Sequence, residues 1–224
     1  MKIVIFAPHA DDELIAAGGS ILKWKEEGHD IYIVYITDGK TAYTMERKRG
    51  RLIESEKTQI TEEELKEIRS QEIDEVAGFL GLSMENLYKF DIPSHEVKEF
   101  LEQAVEKTSA IIKDADVILL PSNHNWHEDH QDTYDIAISA ALKLNLKEAL
   151  FYSYNIYGEN KAPKEKLIEI SVEEYSKKIF EAFKLYESQL CITHVLEYLD
   201  RVKKRKSEKF GVYQLSDIGK YYNF

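Results

Sequence analysis

The chain of 224 residues has a single cysteine, Cys191, so it has no internal disulfide framework. A reducing, cytoplasmic compartment is the expectation that follows. Prolines number four and glycines ten, too few for a flexible linker, and one domain over residues 1–224 is expected. No apolar run approaches the length of a membrane span. The opening MKIVIFAP is too short for a signal peptide and breaks at Pro8. Positive charge is also in deficit. At a formal net charge of -11 most of the surface repels phosphate, which argues against a nucleic-acid or anionic-membrane binder. The run Lys203-Lys204-Arg205-Lys206 opposes that trend and reads as a solvated helix face.

What is present is the material of a globular core: 43% hydrophobic residues and 14 tyrosines. Apolar runs at Ile3 to Ala7, Asp30 to Thr37, Asn86 to Phe90, Asp116 to Pro121 and Ala149 to Tyr154 have the β-branched or aromatic content of buried strands. Helical spacing fills the intervals, over Glu13 to Glu27, Thr61 to Leu80, Ser94 to Lys113 and Gln131 to Leu144. Thr61 with Glu64, and Ser171 with Glu174, read as capping boxes, the second opening a helix that reaches about Tyr186. A last, charged helix is expected from about His194 to Ser207. The stretch Gly39 to Gln59 is charged and weakly patterned, and is expected to be a mobile or substrate-facing loop.

Strand-helix alternation points to an α/β fold: a Rossmann-like, doubly wound, mostly parallel sheet with helices on both faces. In the common order 3-2-1-4-5, strands one and four flank the switch point, where ligands bind beyond the carboxyl ends. Both chemistry-bearing motifs follow those strands: Pro8-His9-Ala10-Asp11-Asp12-Glu13 and His124-Asn125-Trp126-His127-Glu128-Asp129-His130. Either segment alone is more simply structural, an acidic helix start or a strand-end histidine. Together on one edge they form a metal site, since adjacent carboxylates facing a histidine cluster repel one another without a cation. Two imidazoles, one carboxylate and an open position suit a divalent ion, zinc first, with ferrous iron as the alternative. No GxGxxG follows strand one, so a nucleotide-binding module is disfavoured.

HADDE at residues 9–13 with HEDH at 127–130 resembles the LmbE-like (PIG-L) deacetylase family, which shows HPDDE and a later HxDH. Thr37-Asp38-Gly39, Arg69 with Glu72, and Ser188-Gln189 are weaker matches, and Ala10 departs from the usual proline. The resemblance implies metal ligands His9, Asp12 and His130. It also implies Asp11 as general base, His127 oriented by Asp129 as oxyanion stabiliser, expected to donate as the protonated ring whose basicity Asp129 raises, and Arg69 as a partner of sugar hydroxyls. Arg69 could equally be an exposed arginine paired with Glu72. The implied activity is removal of acetyl from a small N-acetylated amino sugar; other metal chemistry, oxidative or on phosphoesters, is the alternative. Asp38 reads as a turn residue, Trp126 as packing or a sugar platform, and His29, His95 and His194 as surface or satisfied residues. Oligomeric state is not readable from the sequence.

Overall fold

The structure, a computed structural model, describes residues 1–156 and 162–218. In chain order the elements are β1 (Lys2–Ala7), α1 (Asp12–Glu26), β2 (Asp30–Thr37), α2 (Ala42–Lys48), α3 (Glu62–Leu80), β3 (Leu87–Ile92), α4 (Leu101–Ile112), β4 (Val117–Pro121), α5 (Glu128–Leu144), β5 (Leu150–Tyr154), β6 (Leu167–Ser171), α6 (Ser176–Phe183), α7 (Thr193–Lys203) and β7 (Ser207–Tyr213). They form one seven-stranded sheet in the order β3-β2-β1-β4-β5-β7-β6. The first five strands are parallel and take the expected doubly wound order; β7 runs antiparallel to both β5 and β6.

Strand alternation explains the layers. Ile3, Ile5 and Ala7 of β1 enter a core built with α1, α3, α6 and α7, whereas Val4 and Phe6 enter a second core with α4 and α5. Because both faces are covered, β1 from Ile3 onward and all of β4 are apolar rather than alternating. Pairing of Ile3 with Val117 and of Ile5 with Leu119 sets the carboxyl ends of β1 and β4 side by side. That is the switch point.

Several expectations need correction. The stretch Gly39 to Gln59 is not a structureless loop: it carries α2 and a single 3-10 turn at Glu56–Thr58. The box at Thr61 and Glu64 is present, with the Thr61 side chain accepting from the Glu64 N–H. The one read at Ser171 is absent, since Ser171 ends β6 and the turn at Glu173–Tyr175 starts without a side-chain cap. The last helix stops at Lys203 and the chain continues as β7. β6 escapes notice in the sequence because a short, charged edge strand carries little apolar signal, and β7, between β5 and β6, because its first three residues are polar or charged.

One local irregularity binds the two parts of the sheet together. Helix α1 breaks its helical conformation at Ala17 (φ -147, ψ 19). A break frees the amides that follow it and the carbonyls that precede it. Buried Glu208 of β7 accepts from the Gly19 N–H (3.0 Å) and the Ser20 N–H (2.8 Å). Arg205 donates to the Leu14 carbonyl (3.2 Å) and to Glu208 (3.0 Å). So Arg205 turns inward, while the other three members of its basic run are exposed, as expected of a solvated face. A Cβ on Gly19 would stand 2.4 Å from the Val172 side chain, so only glycine admits this approach.

Candidate active site

The turn from β1 into α1 is shaped by its own acids. His9 N–H donates to Asp12 Oδ2 (2.9 Å), and Asp11 N–H donates to Glu13 Oε2 (3.1 Å). Asp11 is the N-cap of α1 with φ 103, a left-handed conformation costing a non-glycine residue about 1–3 kcal/mol. The Glu13 bond holds it there, and Glu13 is itself fixed by the Tyr186 hydroxyl at 2.6 Å. On the other side, His127 is the N-cap of α5: its Nδ1 accepts from the Asp129 N–H at 3.3 Å. Glu128 and Asp129 sit in the first helical turn, where carboxylates complement the helix dipole.

The two turns meet. Asp12 Oδ2 lies 3.1 Å from His9 Nδ1 and 3.3 Å from His130 Nε2, and His9 Nε2 lies 3.0 Å from Asp129 Oδ2. Among the described residues two overlapping triads bring ligand atoms within 4.8 Å of one another: His9 with Asp12 and His130, and His9 with His127 and Asp129. Asp12, Asp129 and His130 are almost wholly buried. Asp11 lines the same cavity, of about 100 Å³, together with His9, Asp12 and His127.

Charge is crowded here. Burial disfavours the His9 imidazolium, but bonds to Asp12 and Asp129 outweigh it and push its pKa up to about 10. Burial and the Asp12 charge push Asp11 well above the usual carboxylate range, against the pull of Arg69. Burial opposes ionisation of Asp12 too, yet the His130 and His9 imidazoles hold it below that range. Glu13 rises to about 7 through burial. His127 falls to about 3 because burial and the His9 charge disfavour its cation. The protonated ring expected at His127 is therefore corrected: the ring is neutral and, accepting at Nδ1, carries its proton on Nε2. Two carboxylates, Asp12 and Asp129, that keep a proton on the histidine between them have the donor set and the field of a divalent-cation site.

Other expected residues are placed as follows. Asp129 orients His127 through its backbone N–H, not through its carboxylate. That carboxylate is 4.0 Å from His127 Nδ1 and is engaged by His9 and by the His95 N–H (2.9 Å). Nor is Arg69 an exposed partner of Glu72. It is buried in the cavity wall, donating to the carbonyls of Ala10 (3.1 Å) and Gly39 (3.5 Å), while Glu72 accepts from Ser188. Gly39 (φ +62) is required there, because a Cβ would meet the guanidinium at 2.6 Å. Asp38 makes the expected turn, accepting from the Lys40 N–H. Trp126 is 60% exposed, so core packing is not its role.

His95, read as surface or satisfied, lines the cavity, as do Gln189 and His194. A signal for His95 existed, since it follows β3, whose carboxyl end lies on the same edge. For His194, Arg49 and Tyr198 there was none, because distant segments bring them in. Backbone bonds from Ile53 N–H to Cys191 (2.7 Å) and from Thr193 N–H to Arg51 (2.9 Å) stitch the end of α2 to the start of α7 around the cavity.

Fold and site together define an α/β enzyme class whose centre is a two-histidine, one-aspartate cluster beyond the switch point. Residues 4–141 match the family model described as PIG-L, GlcNAc-PI de-N-acetylase. The chain belongs to this family. Solved structures show the fold broadly. An N,N'-diacetylchitobiose deacetylase from Pyrococcus horikoshii is 20% identical (TM-score 0.70), with 97% of this chain and 85% of that one covered. A 4-carboxy-2-hydroxymuconate hydratase from Pseudomonas putida is 19% identical (TM-score 0.69), with 94% of each covered. A Bacteroides thetaiotaomicron protein described as glucosamine-6-phosphate deaminase-like is 39% identical over 41 residues, 18% of this chain and 6% of that relative's length. Among the described residues no helix is long and apolar enough to cross a membrane.

Proposed function

We propose that this chain hydrolyses the acetamide of a small N-acetylglucosamine-containing molecule, releasing acetate and the free amine, with one divalent ion, zinc first, held by His9, Asp12 and His130. The observation that carries this reading is the convergence of these three side chains at the switch point with Asp11 beside them. When bound, the cation polarises the amide carbonyl, acidifies a water and offsets the repulsion between Asp11 and Asp12.

The remaining roles fall to the chain's own groups. Asp11, aimed into the cavity by its left-handed backbone, accepts the proton of the attacking water and returns it to the departing nitrogen. His127 Nε2–H, fixed as the donor by the Asp129 amide, stabilises the oxyanion of the tetrahedral intermediate. Asp129 holds the His9 ring at Nε2. Arg69, with its guanidinium in the wall, faces Asp11 and is placed to reach a sugar hydroxyl.

Metal analysis paired with acetate release from a panel of N-acetylated sugars tests this. About one ion per chain, loss of activity with chelator and recovery with zinc are expected. Full activity after complete demetallation rules out the metal role. Stoichiometric metal with no acetate from any sugar moves the function to another reaction on the same site, the hydratase of like fold being one direction.

A further inference from the structure

Resting on that reading, the cavity wall opposite in charge to the acidic cluster suggests what else the substrate carries. Glu46 of α2 is buried and accepts from Arg51 in a two-pronged bond, Nε to Oε2 at 2.7 Å and Nη2 to Oε1 at 2.8 Å. That pairing satisfies the carboxylate. Arg49 adds one further bond, from Nη1 to the already shared Oε1 at 2.8 Å. Two guanidinium groups on one carboxylate leave a net charge of +1.

The surplus lies on Arg49. It lines the cavity and Arg51 does not. Among the described residues its Nε and Nη2 have no acceptor, and its side chain is 37% exposed. Arg69, the other arginine of the cavity, spends donors on the carbonyls of Ala10 and Gly39. His194 lines the same wall; its Nδ1 stops 3.6 Å from Glu46 Oε2, and burial lowers its pKa, so it takes no charge from the arginines. On a chain of net charge -11, an arginine with free donors facing the substrate cavity is a local exception.

We propose that Arg49 forms a subsite for an anionic group, phosphate or carboxylate, on the amino sugar or on the unit attached to it, and so determines substrate choice. The guanidinium presents paired donors of the spacing that such planar or tetrahedral anions accept.

The test compares kcat/KM of the metal-reconstituted enzyme for N-acetylglucosamine, its 1-phosphate, its 6-phosphate and its carboxymethyl glycoside. At least one anionic sugar should exceed the neutral one by about ten- to a hundredfold, the range of a charge-assisted bond. Which one leads identifies the anion and its position. Arg49→Gln should bring that ratio to about one through KM, and Arg49→Lys should keep part of it. Arg47→Gln removes a cation of α2 that bonds Glu54 and does not line the cavity, and should leave the ratio unchanged. Equal use of neutral and anionic sugars by the wild type overturns the proposal, as does equal loss of the ratio in Arg47→Gln. Calorimetry with glucosamine 6-phosphate and glucosamine 1-phosphate separates this from the deacetylase reading. Binding that Arg49→Gln abolishes, without acetate from any sugar, fails the reading and keeps the subsite; acetate release without any anion preference fails the subsite and keeps the reading.

Discussion

Strands β1 to β5 run parallel and carry His9, Asp11, Asp12, His127, Asp129 and His130 beyond their carboxyl ends, whereas β6 and β7 run antiparallel at one edge and carry none of them. The edge is not idle. Glu208 and Arg205 supply the bonds that the broken turn of α1 lacks, and α1 is the helix that begins at Asp12. Chemistry is gathered where parallel strands end together; the antiparallel strands repair the scaffold under it. Substitutions in the two regions should therefore separate turnover from stability.

Outside the ligands and Asp11, the largest effect on turnover is expected at His127. His127→Ala should lower kcat by about ten- to a thousandfold with metal content near wild type. Its stability cost should be no more than about 1–2 kcal/mol, that of a lost N-cap. Metal loss in this variant, measured by elemental analysis, would favour the second triad as the ion's seat and redraw the site.

Glu208→Ala should do the reverse. Two buried amides and Arg205 lose their partner, so unfolding in denaturant should show a loss of about 2–4 kcal/mol. Turnover per folded molecule should stay within about twofold. If turnover instead collapses while the protein remains folded, the edge is part of the chemistry and the division above fails.

A smaller effect is expected at the seam between the regions, where Glu46 of α2 meets Arg51, Arg49 and His194. Burial alone would raise the Glu46 pKa, but the bonds from Arg51 and Arg49 prevail and hold it below its ordinary value of 4.5. A carboxyl depressed in the folded state stabilises it above the unfolded pKa, and that contribution is lost as pH falls through the folded one. The Tm gap between wild type and Glu46→Gln should therefore be full near neutrality and shrink below pH 4.5. A gap that widens towards acid would mean that the arginines do not hold the ionised form.

The comparison also explains what the sequence disclosed. Buried parallel strands such as VILLP are continuous apolar runs, and short motifs after β1 and β4 lie at one edge by topology, so the strand order and the six residues named above were legible. β6 (LIEIS) sets a charge between apolar residues and β7 (SEKFGVY) opens on polar and charged ones, which conceals them. The break at Ala17, and the repair by a glutamate 189 positions after Gly19, leave no local pattern at all. The same holds for the cavity wall, since Arg49 and His194 meet only through pairing of the chain around Leu52 and Ile192. The roles of Asp129 were half legible: its neighbourhood with His127 followed from the motif, but its carboxylate bond to His9 needed the fold.

The central claim assigns two adjacent carboxylates different work, Asp12 holding the ion and Asp11 moving the proton. Titrating Asp11→Asn and Asp12→Asn with zinc, while following bound metal and acetate release together, tests it most directly. Asp11→Asn should keep the metal, lose roughly a hundredfold or more in turnover and gain nothing from excess zinc. Asp12→Asn should bind zinc weakly and recover part of its activity as zinc is raised. Metal loss and zinc rescue in Asp11→Asn, with tight metal in Asp12→Asn, would contradict the assignment.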